Sequence, residues 1–381
     1  MTSFLHVLHQ ASLTLGATSF LGVPWSLWLA MTIAFSVALG VALWVVPWVR
    51  TWALKKAWLD APGERKIHTA PMCRLGGVGI YAGFMVAAWL SLSVLSWIEP
   101  VWLKVQANTP AASLWGLGLG GLLMFVVGVV DDLKNLPAWV KLIGQIVAVL
   151  VAIAGGVCIH SLDLPGSWVL LLQGFSVPVT MVWLVGLTNA VNFIDGVDGL
   201  ASGVGMISTL ALVVVALFTG QPVVAVLAVC LMGAILGFWV YNAHPAKLFM
   251  GDSGALFIGS MLAMLSVTGI FKTPIVVMLL PILILIVPIV DITWATLRRL
   301  LKGQSPFVAD ADHLHHRLLR AGLSQQKTVW VFYGVHFLTG LMTACYLGKK
   351  YIVLYLILSL SLTMAGWLGF KTLRQQDTLP V

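Results

Sequence analysis

The sequence predicts an all-α fold: a polytopic membrane helical bundle of about eleven transmembrane helices, N-terminus outside and C-terminus in the cytoplasm. Three observations carry that expectation. Of 381 residues, 60% are hydrophobic and 9% charged, against roughly 25% charged in soluble globular chains. Eleven apolar runs approach the ~20 residues a helix needs to cross a hydrocarbon core. Basic residues collect in alternate connections, which sets the orientation.

The runs lie at 27–49, 76–98, 112–130, 138–158, 169–188, 204–219, 223–241, 255–271, 274–291, 328–347 and 351–370. Residues 1–26 are interrupted by His6, His9, Gln10 and Pro24 and read as an external or interfacial segment. No Lys or Arg precedes Arg50, so the basic head of a secretory signal is missing and the start reads as mature sequence. Alternate connections gather 17 of the 21 Lys and Arg, leaving Lys104, Lys272, Lys349 and Lys350 on the other side. Chain 1–381 reads as one integral-membrane domain, with 292–327 as a long cytoplasmic substrate loop. The net charge of +8 follows from the positive-inside bias and implies no nucleic-acid partner. Cys73, Cys158, Cys230 and Cys345 are scattered singly, which points to neither a disulfide framework nor a thiolate metal site.

The acids gather on the basic side. Asp131, Asp132, Asp195, Asp198, Asp252 and Asp291 all fall at cytoplasmic ends of spans, with Glu99 and Asp163 outside. Carboxylates beside a bilayer core are costly, so their gathering marks a functional site. Asp131 and Asp132 repel one another unless a cation or a proton transfer uses them, and Lys141 stands where the next helix enters the membrane, suited to an anionic head group. Asn189, Asn192, Asp195 and Asp198 recur every third residue, a polar stripe of the oxygens that hard divalent cations prefer. Gly196 and Gly199 let a ligand approach the backbone there. Asp252 opens the eighth run; alone it is an ordinary helix start, but it can join Asn192 or Asp195 around Mg²⁺. Ser253 and the helix N-terminus beside it suit phosphate oxygens. His313, His315, His316 and Arg317 follow in the long loop. Without a cysteine or an H-x₃₋₅-H spacing, zinc is disfavoured; imidazole and guanidinium donors beside acids suit a sugar-nucleotide diphosphate.

These blocks, GVVDDLKNL, NAVNFIDGVDGLASG, KLFMGDSGALFIG and DADHLHHRL, resemble the cytoplasmic signatures of the polyprenyl-phosphate N-acetylhexosamine-1-phosphate transferases. The similarity runs from about residue 50 to about 325. The HLHHR version is similar to the branch that uses UDP-GlcNAc, and the His-rich loop of the MurNAc-pentapeptide translocases is not matched. The resemblance implies transfer of GlcNAc 1-phosphate from a UDP-sugar to undecaprenyl phosphate, releasing UMP, at the cytoplasmic face of a bacterial inner membrane. It implies Mg²⁺, with Mn²⁺ as a substitute, held by Asn192 and Asp252. Lys141 would then pair with the lipid phosphate, Asp131 and Asp132 would orient or deprotonate it, and Asp195 completes the catalytic set. Asn189, Asp198, His313, His315, His316 and Arg317 form the substrate-binding set, and Asp291 has no assigned role. The partners implied are the UDP-sugar, undecaprenyl phosphate and the bilayer, with a homodimer as the protein assembly considered. The rival expectation is a transporter or flippase with an acidic cation pathway, which calls for acids at the bilayer midplane on broken helices.

Overall fold

The computed structural model describes residues 19–20, 23–59, 71–98, 111–164, 168–270, 286–301 and 313–376. Its helices are α1 (Trp25–Lys55), α2 (Gly77–Ile98), α3 (Ala111–Lys134), α4 (Ala138–Ala154), α5 (Ser176–Ile194), α6 (Leu200–Phe218), α7 (Pro222–Asn242), α8 (Gly251–Ile270), α9 (Ile286–Leu301), α10 (Leu314–Arg320), α11 (Gln325–Leu347) and α12 (Lys349–Gln376). Eight of them, α1, α3, α5, α6, α7, α8, α11 and α12, are long and apolar enough to cross a membrane. The protein is a polytopic, mostly helical membrane protein.

Three stretches depart from the sequence expectation. The fifth run was expected to be helical from 169, but Trp168–Leu171 forms β4, antiparallel to β3 (Ser161–Leu164), and the helix starts only at Ser176. Trp168 and Val169 suit a strand, and a short hairpin satisfies its backbone groups outside the helices. At the N-terminus, Ser19–Phe20 (β1) pairs with Val23–Pro24 (β2) directly before α1; residues 1–18 of the expected external segment lie outside the described residues. The ninth run, 274–291, lies outside them up to residue 285. Beyond it the expected loop 292–327 is partly helical, since α9 runs on to Leu301 and α10 follows. The last turn of α9 carries Arg298 and Arg299, whose charges favour a helix C-terminus.

The bundle is layered. Nearly every side chain of α6, α7 and α8 is buried, whereas α1, α3, α5, α11 and α12 turn large apolar side chains outward, Trp44, Trp115, Val182, Trp330 and Leu360 among them. A helix apolar on all sides belongs inside a bundle, and one apolar on its outer face belongs against lipid. Helix α8 packs on α2, α3, α5, α6 and α7. Small residues let it come that close: a methyl on Gly77 or Gly128 would strike the backbone of Ser253 or Gly254. The first turn of α8 therefore sits wedged between α2 and α3.

Gly128→Val should destabilise the protein by about 1–3 kcal/mol or more, because backbone cannot yield as a flexible side chain can. Gly118→Ala, one helix face away where an added methyl meets nothing, should be neutral or slightly stabilising. Thermal unfolding in detergent compares the two; equal shifts would contradict the packing argument.

Candidate active site

The start of α8 organises the site. Gly251 adopts φ +70°, and a side chain there would collide with the Arg74 carbonyl oxygen and the Asp132 carboxylate. The first amides of a helix have no partners within it. Here Asp132, at the end of α3, supplies them: the Asp252 N–H donates to Asp132 Oδ1 at 2.7 Å and the Ser253 N–H to Oδ2 at 3.0 Å. Both oxygens of Asp132 thus cap a helix from another part of the chain, a placement the helix dipole favours. The backbone of 73–77 runs beside this start, with Phe249 N–H donating to Cys73 O, Gly76 N–H to Phe249 O and Gly77 N–H to Met250 O.

With its amide fixed, Asp252 presents its carboxylate to two helices. Its Oδ1 accepts from Asn192 Nδ2 at 2.9 Å, and its Oδ2 is paired with the Lys141 ammonium. Lys141 also reaches Asp131 Oδ2 at 3.1 Å, while Asp131 Oδ1 accepts the Leu136 N–H at 2.7 Å. Asp131, Lys141, Asp252 and Asn192 therefore form one connected, largely buried cluster joining α3, α4, α5 and α8. One ammonium stands between two carboxylates, so the cluster keeps net negative charge.

The Asn/Asp stripe fans out instead of lining one face. Asn189 points to α4, exchanging hydrogen bonds with Gln145 (Nδ2 to Oε1, 2.7 Å; Nε2 to Oδ1, 3.2 Å). Asn192 meets Asp252. Beyond the end of α5, Asp195 faces the acidic cluster: burial holds its carboxyl well above the usual carboxylate range, repulsion from Asp252 and Asp132 adds to that, and Arg74 opposes it. Asp198 turns to the far side, where its Oδ2 meets His244 Nδ1 at 2.9 Å and accepts the Ala246 N–H at 3.2 Å.

The histidines of α10 stack over this segment. Asp291 of α9 accepts the Leu314 N–H at 2.8 Å and lies 3.1 Å from His313 Nδ1, so it both starts α10 and orients His313. The His313 ring stacks on Phe193 at 5.0 Å and is nearly parallel to His315 at 6.0 Å; His316 lies 4.2 Å from His315. His315 is 1% exposed, yet neither ring nitrogen has a partner among the described residues, and its Nε2 lies over Gly196 where any side chain would displace it. Burial first, then the neighbouring His316 and His313, pushes its pKa down to about 3 against the pull of Asp291. His316 is half-buried and Arg317 exposed. The structure thus brings Asp131, Lys141, Asn192 and Asp252 into direct contact, sets Asp132 behind them and Asp195 beside them, and hangs the histidines on the 193–196 turn.

Sequence reasoning missed Gln145, Arg74, His244 and Phe193, and left Asp291 without a role. A glutamine inside an apolar run is itself a signal; Arg74 was hidden among basic residues that orientation alone explains.

Among the described residues no group of three His, Cys, Asp or Glu is arranged as a metal cage. The donor chemistry nevertheless fits Mg²⁺, which takes one or two carboxylates and leaves its other positions to water and substrate phosphates. Asp252 with Asn192 supplies such a set, and the residual negative charge favours a cation.

A largely buried acidic cluster with a lysine at the end of an apolar bundle, and imidazoles stacked on the neighbouring turn, marks the candidate site of a polytopic membrane protein. Residues 114–270 match the model of glycosyl transferase family 4. Over 292 residues the chain is 35% identical to a probable undecaprenyl-phosphate N-acetylglucosaminyl 1-phosphate transferase of Bacillus subtilis, covering 75% of this chain and 76% of that one. It is 35% identical to a decaprenyl-phosphate N-acetylglucosaminephosphotransferase of Mycobacterium leprae (71% and 72% covered), and 30% identical to an undecaprenyl-phosphate alpha-N-acetylglucosaminyl 1-phosphate transferase of Escherichia coli O157:H7 (72% of each). The chain belongs to the polyprenyl-phosphate N-acetylhexosamine-1-phosphate transferases of glycosyl transferase family 4.

A His buried neutral makes the unfolded chain bind more protons below pH 6.5, so His315 should erode stability as pH falls from 6.5 toward about 3. By pH 5 the loss from this one group should reach about 2 kcal/mol. His315→Gln removes that component, and its unfolding temperature should fall less between pH 7 and pH 5 than that of the parent; parallel curves would mean the imidazole takes up its proton in the folded protein.

Proposed function

We propose that the chain transfers GlcNAc 1-phosphate from UDP-GlcNAc to undecaprenyl phosphate, releasing UMP and beginning a lipid-linked glycan. The observation that carries the reading is the contact of Lys141 with both Asp131 and Asp252 at the mouth of an apolar bundle. An ammonium held there can exchange a carboxylate for a lipid phosphate while the prenyl chain stays among the helices. An oxygen of that phosphate attacks the sugar-bearing phosphorus, the bond to the UMP oxygen breaks, and UMP leaves with the electron pair.

Two phosphates repel, so cationic groups must neutralise the charge that builds between them. Lys141 does this for the acceptor, and Asp131 orients Lys141. Asp132 acts through the backbone, holding Asp252 in place. Asp252 and Asn192 would hold Mg²⁺, or Mn²⁺ in its stead, which supplies charge neutralisation of the diphosphate when bound. Asn189 braces the stripe through Gln145, Asp195 faces the nucleotide, Asp198, turned away onto His244 and the Ala246 amide, fixes the turn that carries Asp195, and His313, His315, His316 and Arg317 close over the diphosphate and sugar. A neutral His315, whose ring nitrogens have no partner among the described residues, is suited to accept from or donate to a substrate without adding charge.

The proposal includes eleven spans, a cytoplasmic site and a bacterial inner-membrane location, supported by the one-sided distribution of Lys and Arg and by the bacterial relatives. The transporter reading has no comparable support: Asp131, Asp132 and Asp252 occupy helix ends, not breaks at mid-bundle.

Purified protein given UDP-GlcNAc, undecaprenyl phosphate and Mg²⁺ should release UMP, and EDTA should stop it. Asp252→Asn should lower the rate by about a hundredfold or more, the scale of losing one electrostatic element of a phosphoryl-transfer site. Undiminished release in EDTA, or near-normal turnover by the variant, would contradict the metal assignment; release with UDP-MurNAc-pentapeptide alone would contradict the sugar.

A further inference from the structure

A cavity of about 630 Å³ opens between α6, α7, α11 and α12. Its size is that of a small-molecule site, but its shape is a slot. Along α6 and its cap it extends from Gly199 to Leu210, and on α11 from Gln326 to Phe337, eleven residue steps in each case and so about 16 Å at the helical rise. That matches one leaflet, half of a hydrocarbon core ~30 Å thick. The deep part is walled by Leu210, Phe337 and Leu362 together with Tyr355, Ser359 and Thr363, whose hydroxyls donate to backbone carbonyls; the charged and imidazole groups, Asp198 and His244, stand at the end nearest the acidic cluster. At that end Asp198 is engaged by His244 and the Ala246 amide, and two exposed cations stand next to lining residues. Lys327 adjoins the cavity residue Gln326, and Lys371 lies 5.1 Å over the ring of Trp367, another cavity residue.

We infer that this slot holds one acyl chain of an anionic phospholipid from the leaflet on the side of the acidic cluster, its head group between Lys327 and Lys371. Mostly apolar walls do not retain water, and a membrane offers hydrocarbon chains of this length beside them. The two lysines complement a negative head group. The substrate's prenyl chain is a poorer occupant. Its phosphate is placed at Lys141 of α4, which packs chiefly on α3 and α5, so α5 and α8 stand between that lipid and the slot. This last step rests on the function proposed above; the slot and its lysines do not.

Gly334 gives the test. It lines the slot and is exposed to it, and a side chain added there meets nothing within 4 Å, so Gly334→Leu fills the space without strain. The parent protein, purified in detergent and weighed by native mass spectrometry after reconstitution with phosphatidylglycerol, should retain one phospholipid per chain. Gly334→Leu should lower that occupancy about tenfold while still releasing UMP, whereas Lys141→Ala should stop UMP release and keep the phospholipid. Should Gly334→Leu fail to fold, Lys327→Gln combined with Lys371→Gln, both on the surface, should reduce the preference for phosphatidylglycerol over phosphatidylcholine by about tenfold. Unchanged retention in Gly334→Leu, an unchanged preference in the double variant, or retention of undecaprenyl phosphate but no phospholipid would each overturn the assignment. Loss of UMP release by the parent with lipid retention intact would instead count only against the proposed reaction.

Discussion

Carboxylates crowded at one end of an apolar bundle are the constraint on which the rest of this structure depends. Each loses hydration there, and each repels the others. The protein meets that cost with several different partners: backbone amides for Asp132, an ammonium for Asp131, an ammonium and a carboxamide for Asp252, an imidazole and an amide for Asp198. Asp195 is the member whose burial and neighbours most disfavour charge. An arrangement that costs this much is a site at which additional positive charge is strongly favoured, and the divalent cation proposed for it would supply that charge.

Helix packing converts that local chemistry into architecture. Because Gly77 and Gly128 allow α2 and α3 to touch the backbone of α8, the first turn of α8 becomes the point where acids from α3 and the amide of α5 converge. The same economy of side chains recurs at Gly196, whose bare backbone admits His315 and so joins α10 to the acidic segment. Small residues in this chain therefore do two jobs. They bring helices together as in other membrane bundles, and at these positions they also set the distances between functional groups.

Much of this was legible in the sequence. Apolar runs gave nine of the helices closely, and the motif residues at 131, 141, 192 and 252 do meet. What could not be read was direction. Spacing by three suggested one face for Asn189, Asn192, Asp195 and Asp198, but α5 ends at Ile194, and past that point periodicity no longer fixes where a side chain points. Asp132 looked equivalent to Asp131 because neighbours in sequence share composition; only tertiary packing shows that one caps a distant helix and the other holds Lys141. Asp291 was unassigned for the same reason, since its partners, His313 and the Leu314 amide, lie more than twenty residues away. The β3–β4 hairpin escaped because a short apolar strand and the start of a helix have the same composition.

The central claim is that the Asp131–Lys141–Asp252–Asn192 cluster exists to receive a divalent cation together with a diphosphate. Electron paramagnetic resonance of Mn²⁺ titrated into the detergent-solubilised protein measures this without relying on turnover. The account predicts one protein-bound ion per chain, tightened by UDP-GlcNAc and lost in Asn192→Leu although that variant unfolds at nearly the parent temperature. Equal Mn²⁺ binding in Asn192→Leu, or no bound ion in the parent even with the sugar nucleotide present, would contradict it.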